Sequence, residues 1–320
     1  MYRIKKYVLT LSVFLLFIST ISAGGRRDGN ELTEINISYV KSPFNLQVMV
    51  MKEHGLLEKE FARDGIAVNW HEITSGAKQA EAMAAGSLDI ASVMNTASVI
   101  IANAAGNNVD IIDVVSRPVD TFTIMTAAEG PADLSELSGK TVAGPKGTVL
   151  HQLLESVIRK EGLENVSLVS MGLPQAQAAL LAGQVDAALL AAALVLKTQD
   201  AGGRILTTSA GYVQPLLVSV SPRSFTEEYP EIIRRYRKVQ KESYRYIMEN
   251  PEKALTIGAS QQDISIEAAR ELYERSGIAE SFTASDEQGL MKDIAFLRDL
   301  GMIEGEVSTE DLKSRLLDVQ

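Results

Sequence analysis

Residues 85–91 read Ala85-Gly86-Ser87-Leu88-Asp89-Ile90-Ala91, and residues 182–188 read Ala182-Gly183-Gln184-Val185-Asp186-Ala187-Ala188. The offset is 97, and two further matches share it: His54-Gly55-Leu56-Leu57-Glu58 with His151-Gln152-Leu153-Leu154-Glu155, and Gly65 with Gly162. Both copies have the same physical content. An Ala-rich helix runs into a glycine, which takes φ > 0 at a helix end without a Cβ penalty. An aspartate then stands where its carboxylate can hydrogen-bond the turn into an apolar strand. Two copies do not make a solenoid, whose repeats stack in longer arrays. They describe two α/β units in tandem, hence two lobes.

Working outward from the repeat, short β patterns alternate with helical ones. Strands are expected at 35–40, 66–72, 90–94 and 109–116, with helices at 46–63, 77–85 and 96–105 between them. The grammar restarts near Lys140. Strands are expected at 141–144, 166–170, 185–190, 204–208 and 216–221, and helices at 149–160, 175–182 and 192–198; from Thr226 onward the pattern is nearly all helical. Strands alternating with helices of this length predict sheets with crossover helices, an α/β fold. The apolar run 176–196 is interrupted by Gly183, Gln184 and Asp186, so it reads as a buried helix–strand–helix and not as a membrane span.

The chain has 320 residues, enough for two cores, with 46% hydrophobic and 22% charged residues, normal for a globular protein. Its formal net charge of -10 argues against a general affinity for nucleic acid or anionic membrane. Arg3, Lys5 and Lys6, an apolar run to Ile21 and then Ser22, Ala23 and Gly24 form a secretory signal pattern over 1–23, followed by a flexible leader at 24–30. There are no cysteines, which excludes disulfides, a thiolate metal site, a cysteine nucleophile and lipidation on an N-terminal cysteine. A freely diffusing periplasmic protein, exported by a cleavable signal, is expected.

Lys41-Ser42-Pro43 after the first strand, Ser75-Gly76 before a helix, and residues 85–91 resemble the first lobe of the nitrate/sulfonate/taurine and thiamine-precursor binding proteins of ABC importers. The segment Leu137-Ser138-Gly139-Lys140-Thr141-Val142-Ala143-Gly144-Pro145-Lys146-Gly147-Thr148, with His151, resembles the start of their second lobe, and residues 183–188 its later half. The resemblance covers residues 35–221 and, more loosely, the helical C-terminus. It implies a type II periplasmic binding protein fold, two α/β lobes joined by two crossing segments near 120–126 and 212–221. Lobe 1 would comprise 31–121 and 222–320, lobe 2 122–221, with a ligand held in the cleft between them. It further implies a monomeric solute-binding protein that delivers to a permease and an ATPase, without cofactor. In one respect the sequence departs from the sulfonate-type pattern of an aromatic residue and a proline after the second-lobe strand: it carries Leu189-Leu190-Ala191-Ala192-Ala193. That implies a smaller, less aromatic wall and a bulkier organic ligand. The candidates are a thiamine-precursor pyrimidine, another planar heterocycle, or an organic sulfonate or carboxylate.

In open α/β sheets ligands bind beyond the carboxyl ends of strands, where helix N-termini present unpaired N–H groups and partial positive charge. By that rule the candidate ligand-binding residues are Ser42, Phe44 and Asn45 after the first strand, Phe44 as a stacking surface. Thr74, Ser75 and Gly76, then Asn95 and Thr96, precede further helices. Lys146, Gly147 and Thr148 bring a cation, a flexible backbone and a hydroxyl to one helix start, with His151 in its first turn. Arg117 is a candidate clamp for an anion or a partner in a surface salt bridge.

No nucleophile elbow or zinc-binding helix motif is present; Gly139-Lys140-Thr141 fails the phosphate-loop pattern because position 134 is Leu. Three scattered histidines and no cysteine give no transition-metal pattern. The basic stretch 234–238 lies opposite the stripe Ile232, Tyr236, Val239, Ser243 and Ile247, so it reads as the solvated side of a helix. Three function classes follow: a transport binding protein, a periplasmic sensor subunit, and an enzyme on the same fold, either pyrimidine-synthase-like or menaquinone-pathway-like. The cysteine-rich motif of the pyrimidine synthases is missing, and the menaquinone-pathway enzymes lack an export signal.

Overall fold

The computed structural model describes residues 32–317; the expected signal peptide and leader lie outside the described residues. The chain begins with strand β1 (Glu34–Ser38), helices α1 (Leu46–Glu53) and α2 (Leu56–Phe61), strand β2 (Ala67–His71), α3 (Gly76–Ala84), β3 (Ala91–Asn95), α4 (Thr96–Ala104) and β4 (Val109–Ser116). It continues through β5 (Phe122–Thr126), β6 (Thr141–Gly144), α5 (Val149–Glu161), β7 (Ser167–Ser170), α6 (Leu173–Leu181), β8 (Ala187–Ala191), α7 (Ala193–Asp200) and β9 (Arg204–Thr208). It returns through β10 (Leu217–Pro222) to α8 (Arg223–Glu228), α9 (Pro230–Glu249), α10 (Pro251–Gln262), α11 (Ile266–Ser276), α12 (Ala284–Asp299) and α13 (Thr309–Leu317).

The strands form two sheets of one design. In the second, the order is β7-β6-β8-β5-β9, with β6 parallel to β7 and β8, and β5 antiparallel to β8 and β9. In the first, β1 pairs parallel with β2, and β10 runs antiparallel between β3 and β4. A parallel bridge at Ile37 and Ile90, with Ser38 N–H donating to Ile90 O at 2.9 Å, joins these two parts. Each sheet therefore receives its antiparallel strand from the segment that has just left the other. The chain crosses at residues 117–121 and again at 209–216. Residues 122–126 and 217–221, expected within the crossings, are sheet members. Phe122–Thr126 is a buried strand because it has a neighbour on both sides.

The repeat that announced two lobes is reproduced bond for bond. Gly86 and Gly183 have φ of 69° and 67°. Ser87 N–H donates to Ala82 O and Gln184 N–H to Ala179 O, both at 2.9 Å, closing each helix end in the same way. The aspartates reach further than the turn. Asp89 Oδ2 accepts from Asn36 N at 2.9 Å and Asp186 Oδ2 from Thr141 N at 2.8 Å, while each aspartate's own N–H donates to the same partner's carbonyl. Each aspartate thus locks the third strand of its lobe to the first. The histidine match is different. His54 caps the C-terminus of α1, whereas His151 lies in the first turn of α5, because α1 is an extra helix of the first lobe and it is α2 that matches α5 at this offset.

Helix α9 buries Ile232, Tyr236, Val239, Ser243 and Ile247, as its periodicity predicts, and packs on α1 and β4. Arg234, Arg235 and Lys238 meet carboxylates, Arg235 Nε bonding Glu60 at 2.9 Å, whereas Arg237, expected on the solvated side, buries Nε and Nη1 without a hydrogen-bond partner among the described residues. Among the described residues no helix is long and apolar enough to cross a membrane; the run 176–196 is α6, β8 and α7.

Candidate functional site

Three helix N-termini meet where the two sheets face each other. Gly76 opens α3 so close to α4 that a Cβ there would lie 2.6 Å from Ser98 Cβ. Ser98, in the first turn of α4, donates from its hydroxyl to Gly147 O at 2.8 Å, just before α5. Gly147 takes φ of 72°, a conformation favourable to glycine, and its N–H donates to His151 Nδ1 at 3.2 Å. His151 Nε2 lies 3.4 Å from Glu155. The imidazole is therefore buried and occupied in fixing the loop.

The capping pattern gives this junction its chemistry. In α4, Asn95 Oδ1 accepts from Ser98 N at 3.0 Å, an ordinary N-cap. In α3 and α5 the cap residues Ser75 and Thr148 make no such bond, and Thr148 Oγ1 instead donates to Pro145 O at 2.8 Å. None of α3, α4 and α5 carries an acidic residue in its first turn, whereas α9, α10, α11, α12 and α13 all do. Helices α9 to α13 thus neutralise their N-terminal partial charge within the chain, while α1, α6, α7 and α8 also start without an acid but do not meet at this junction. At the junction that partial charge stays uncompensated, with the exposed Lys146 beside it. This arrangement can hold an anion; among the described residues no group of three or more His, Cys, Asp or Glu could hold a metal ion.

The remaining candidates are distributed as follows. Ser75 is half-buried and Thr74 exposed at the start of α3. Ser42 is half-buried, with its carbonyl accepting from Asn45 Nδ2 at 2.7 Å; Asn45 also donates to Val40 O at 2.9 Å and braces the loop from within. Phe44 is 1% exposed and presses on Gly258 of α10, so it is a core residue and offers no stacking face. Thr96 is buried and donates to Asp293 Oδ2 at 2.8 Å. Arg117 donates from Nε to Asp286 Oδ1 at 2.7 Å, from Nη2 to Asp286 Oδ2, and to Ser281 O at 2.8 Å. Its fork clamps a carboxylate of the chain itself, tying the first crossing to α12. Those bonds hold the Asp286 carboxyl below its usual range, overcoming the opposing effect of burial.

Sequence reasoning missed two contacts across the lobes, Ser98 to Gly147 and Gln152 Nε2 to Asp293 Oδ1 at 2.7 Å. Neither carries a local sequence signal, since each joins side chains brought together only by the topology.

Two sheets of matched order, exchanged antiparallel strands, two crossings and converging helix N-termini define a two-lobed periplasmic-binding-protein fold. The chain belongs to the NMT1/THI5-like family, whose model matches residues 48–254. It is 28% identical to a Bacillus subtilis protein named for the binding of aliphatic sulfonates, over 81% of this chain and 79% of that one. It is 26% identical to the taurine-binding periplasmic protein of Escherichia coli, over 61% and 62% of the two chains. Among solved structures, the alkanesulfonate-binding protein of Xanthomonas axonopodis pv. citri bound to MOPS superposes with a TM-score of 0.77 at 21% identity, covering 89% of this chain and 99% of that one.

Proposed function

We propose that the chain is the solute-binding component of an importer, holding a small organic anion of the sulfonate class between its lobes and presenting it to a permease and ATPase. The observation that carries this reading is the acid-free convergence of α3, α4 and α5, with α3 and α5 lacking side-chain caps. An anionic head placed there completes the first-turn N–H groups that the chain leaves to a ligand. The family and the names of the relatives support the sulfonate class and a non-enzymatic role. The signal-like pattern of residues 1–23 supports export to the periplasm. The junction of β8 and α7 is built of the small, buried Ala191, Ala192 and Ala193, which supports a solute with a body larger than taurine's.

The test is calorimetric titration with taurine, MOPS and linear alkanesulfonates, on the wild type and on Ser75→Asp and Thr148→Asp. An aspartate at either cap supplies the missing acceptor and occupies the anion site. It should therefore weaken sulfonate binding by about tenfold or more while the melting temperature holds or rises. Absence of binding across the panel, or wild-type affinity in both variants, overturns the proposal.

A further inference from the structure

The two crossings and the start of α12 enclose a cavity of about 370 Å³. Its apolar walls include Pro118 and Val119 from the first crossing, Val213, Pro215 and Leu216 from the second, and Leu290 from α12. Of the converging helix starts only Thr96 reaches it; Ser75, Gly76, Gly147 and Thr148 do not line it. The cavity is therefore distinct from the anion site, and its charge has the opposite sign. Arg117 lines it but is taken up by Asp286 and Ser281. Asp293 and Asp120 line it too, and among the described residues neither has a cationic partner. Asp293 accepts only from the Gln152 amide and the Thr96 hydroxyl, and Asp120 only from the Thr208 hydroxyl at 2.7 Å. Burial pushes the Asp293 carboxyl above its usual range, the signature of a charge withdrawn from water without a countercharge. An independent feature points to an occupant: Ser209 is 2% exposed, lines the cavity, and its hydroxyl has no hydrogen-bond partner among the described residues.

We propose that this hinge cavity binds a compact organic cation, a primary ammonium or guanidinium on a short apolar body. The cationic head lies between Asp293 and Asp120, whose carboxylates have lone pairs to spare beyond the neutral donors they already accept, and reaches the Ser209 hydroxyl. The body rests on the prolines, valines and leucines of the walls. Because both crossings form those walls, the cavity changes shape whenever the lobes move. Cation and interlobe solute then alter each other's affinity by one common factor.

The experiment is calorimetric titration of the chain with cyclohexylamine and with agmatine, using cyclohexanol and cyclohexanecarboxylate as controls and no sulfonate in solution. Both amines should bind and both controls should not. Asp293→Asn should weaken the amines by about tenfold or more, the worth of a charge-assisted hydrogen bond in an enclosed site. Val119→Trp should do the same by closing the mouth; Val119 is 58% exposed, so the larger ring leaves the core untouched. Failure of the amines to bind at millimolar concentration, equal binding of the carboxylate, or wild-type affinity in the variants overturns the proposal. If Asp293→Asn does not fold, Val119→Trp and the controls decide. A sulfonate titration of the same sample reports on the anion site separately, so either site can fail alone.

Discussion

At the scale of single residues, the strongest test lies away from both sites. Asp113 is buried in β4 with Val114 N donating to its Oδ1 at 2.9 Å. Burial pushes its carboxyl up to about 7, outweighing the attraction of Arg237 and the Val114 bond. Arg237 in turn has Nε and Nη1 buried without a hydrogen-bond partner among the described residues, so the two charges oppose each other across a gap. In the unfolded chain the carboxyl titrates near 3.9. Between those values the folded state binds the proton more tightly. The stability supplied by Asp113 is thus complete below about pH 4 and is lost as pH rises through about 7, a total of about 4 kcal/mol. Asp113→Asn should remove that fall. Urea unfolding at pH 4.5, 6 and 8 should find the variant gaining on the wild type at each step; parallel curves would show that the carboxyl titrates normally in the fold. Nothing in the alternation of residues 109–116 distinguishes Asp113 from an outward-facing carboxylate, because an aspartate in a strand reads as solvent-facing until the helix that covers it is placed.

At the scale of elements, legibility followed locality. The boundaries of β4, β6 and β9 agree with the sequence pattern, and the repeated glycine turns were readable because φ > 0 is a property of one residue and its neighbours. β5 falls where the sequence predicts a crossing, because its strand character comes from β8 and β9, which are distant in the chain. The candidate site divided in the same way. The helix starts at 75–76, 95–96 and 147–148 were legible as caps. The burial of Phe44 against Gly258 and the pairing of Arg117 with Asp286 depend on the C-terminal helices returning to the first lobe. Glycine substitutions test this distinction. Gly86 and Gly183 have open space around a prospective Cβ, so Gly86→Ala and Gly183→Ala should each cost about 1 kcal/mol from backbone strain alone, and by similar amounts. At Gly76 the cost is steric, a collision with Ser98, so Gly76→Ala should be clearly the most destabilising of the three. Chemical denaturation orders them; a Gly76→Ala variant no worse than the other two would mean that α3 and α4 are not in contact in solution.

At the scale of the whole molecule, the question is what holds the lobes in the arrangement described. α5 of the second lobe meets the first lobe through Gln152 to Asp293 and through Gly147 to Ser98, and more peripherally through Arg159, 3.7 Å from Asp299 and 5.3 Å from the Phe296 ring centroid. On the other side Lys197 and Asp263 approach to 3.9 Å. The two ion pairs are exposed, and exposed pairs contribute between about 0 and 1 kcal/mol. The Gln152 bond is partly buried and reaches a carboxylate, so breaking it strands a desolvated acceptor at greater cost. The buried hydrogen bonds, not the surface charges, should therefore set the balance between closed and open lobes. The chain has no cysteine, so Lys78→Cys and Gln184→Cys, both at exposed positions on opposite lobes, give a single labelled pair for energy transfer. Gln152→Ala should lower the transfer efficiency by letting the lobes part. It should also weaken sulfonate binding in proportion to the closed population lost, since apparent affinity scales with the competent fraction. Arg159→Ala should do neither. If instead Arg159→Ala opens the lobes and Gln152→Ala does not, or if raising the salt concentration alone mimics the opening, surface electrostatics govern closure, and Asp293 would then act in the hinge cavity alone.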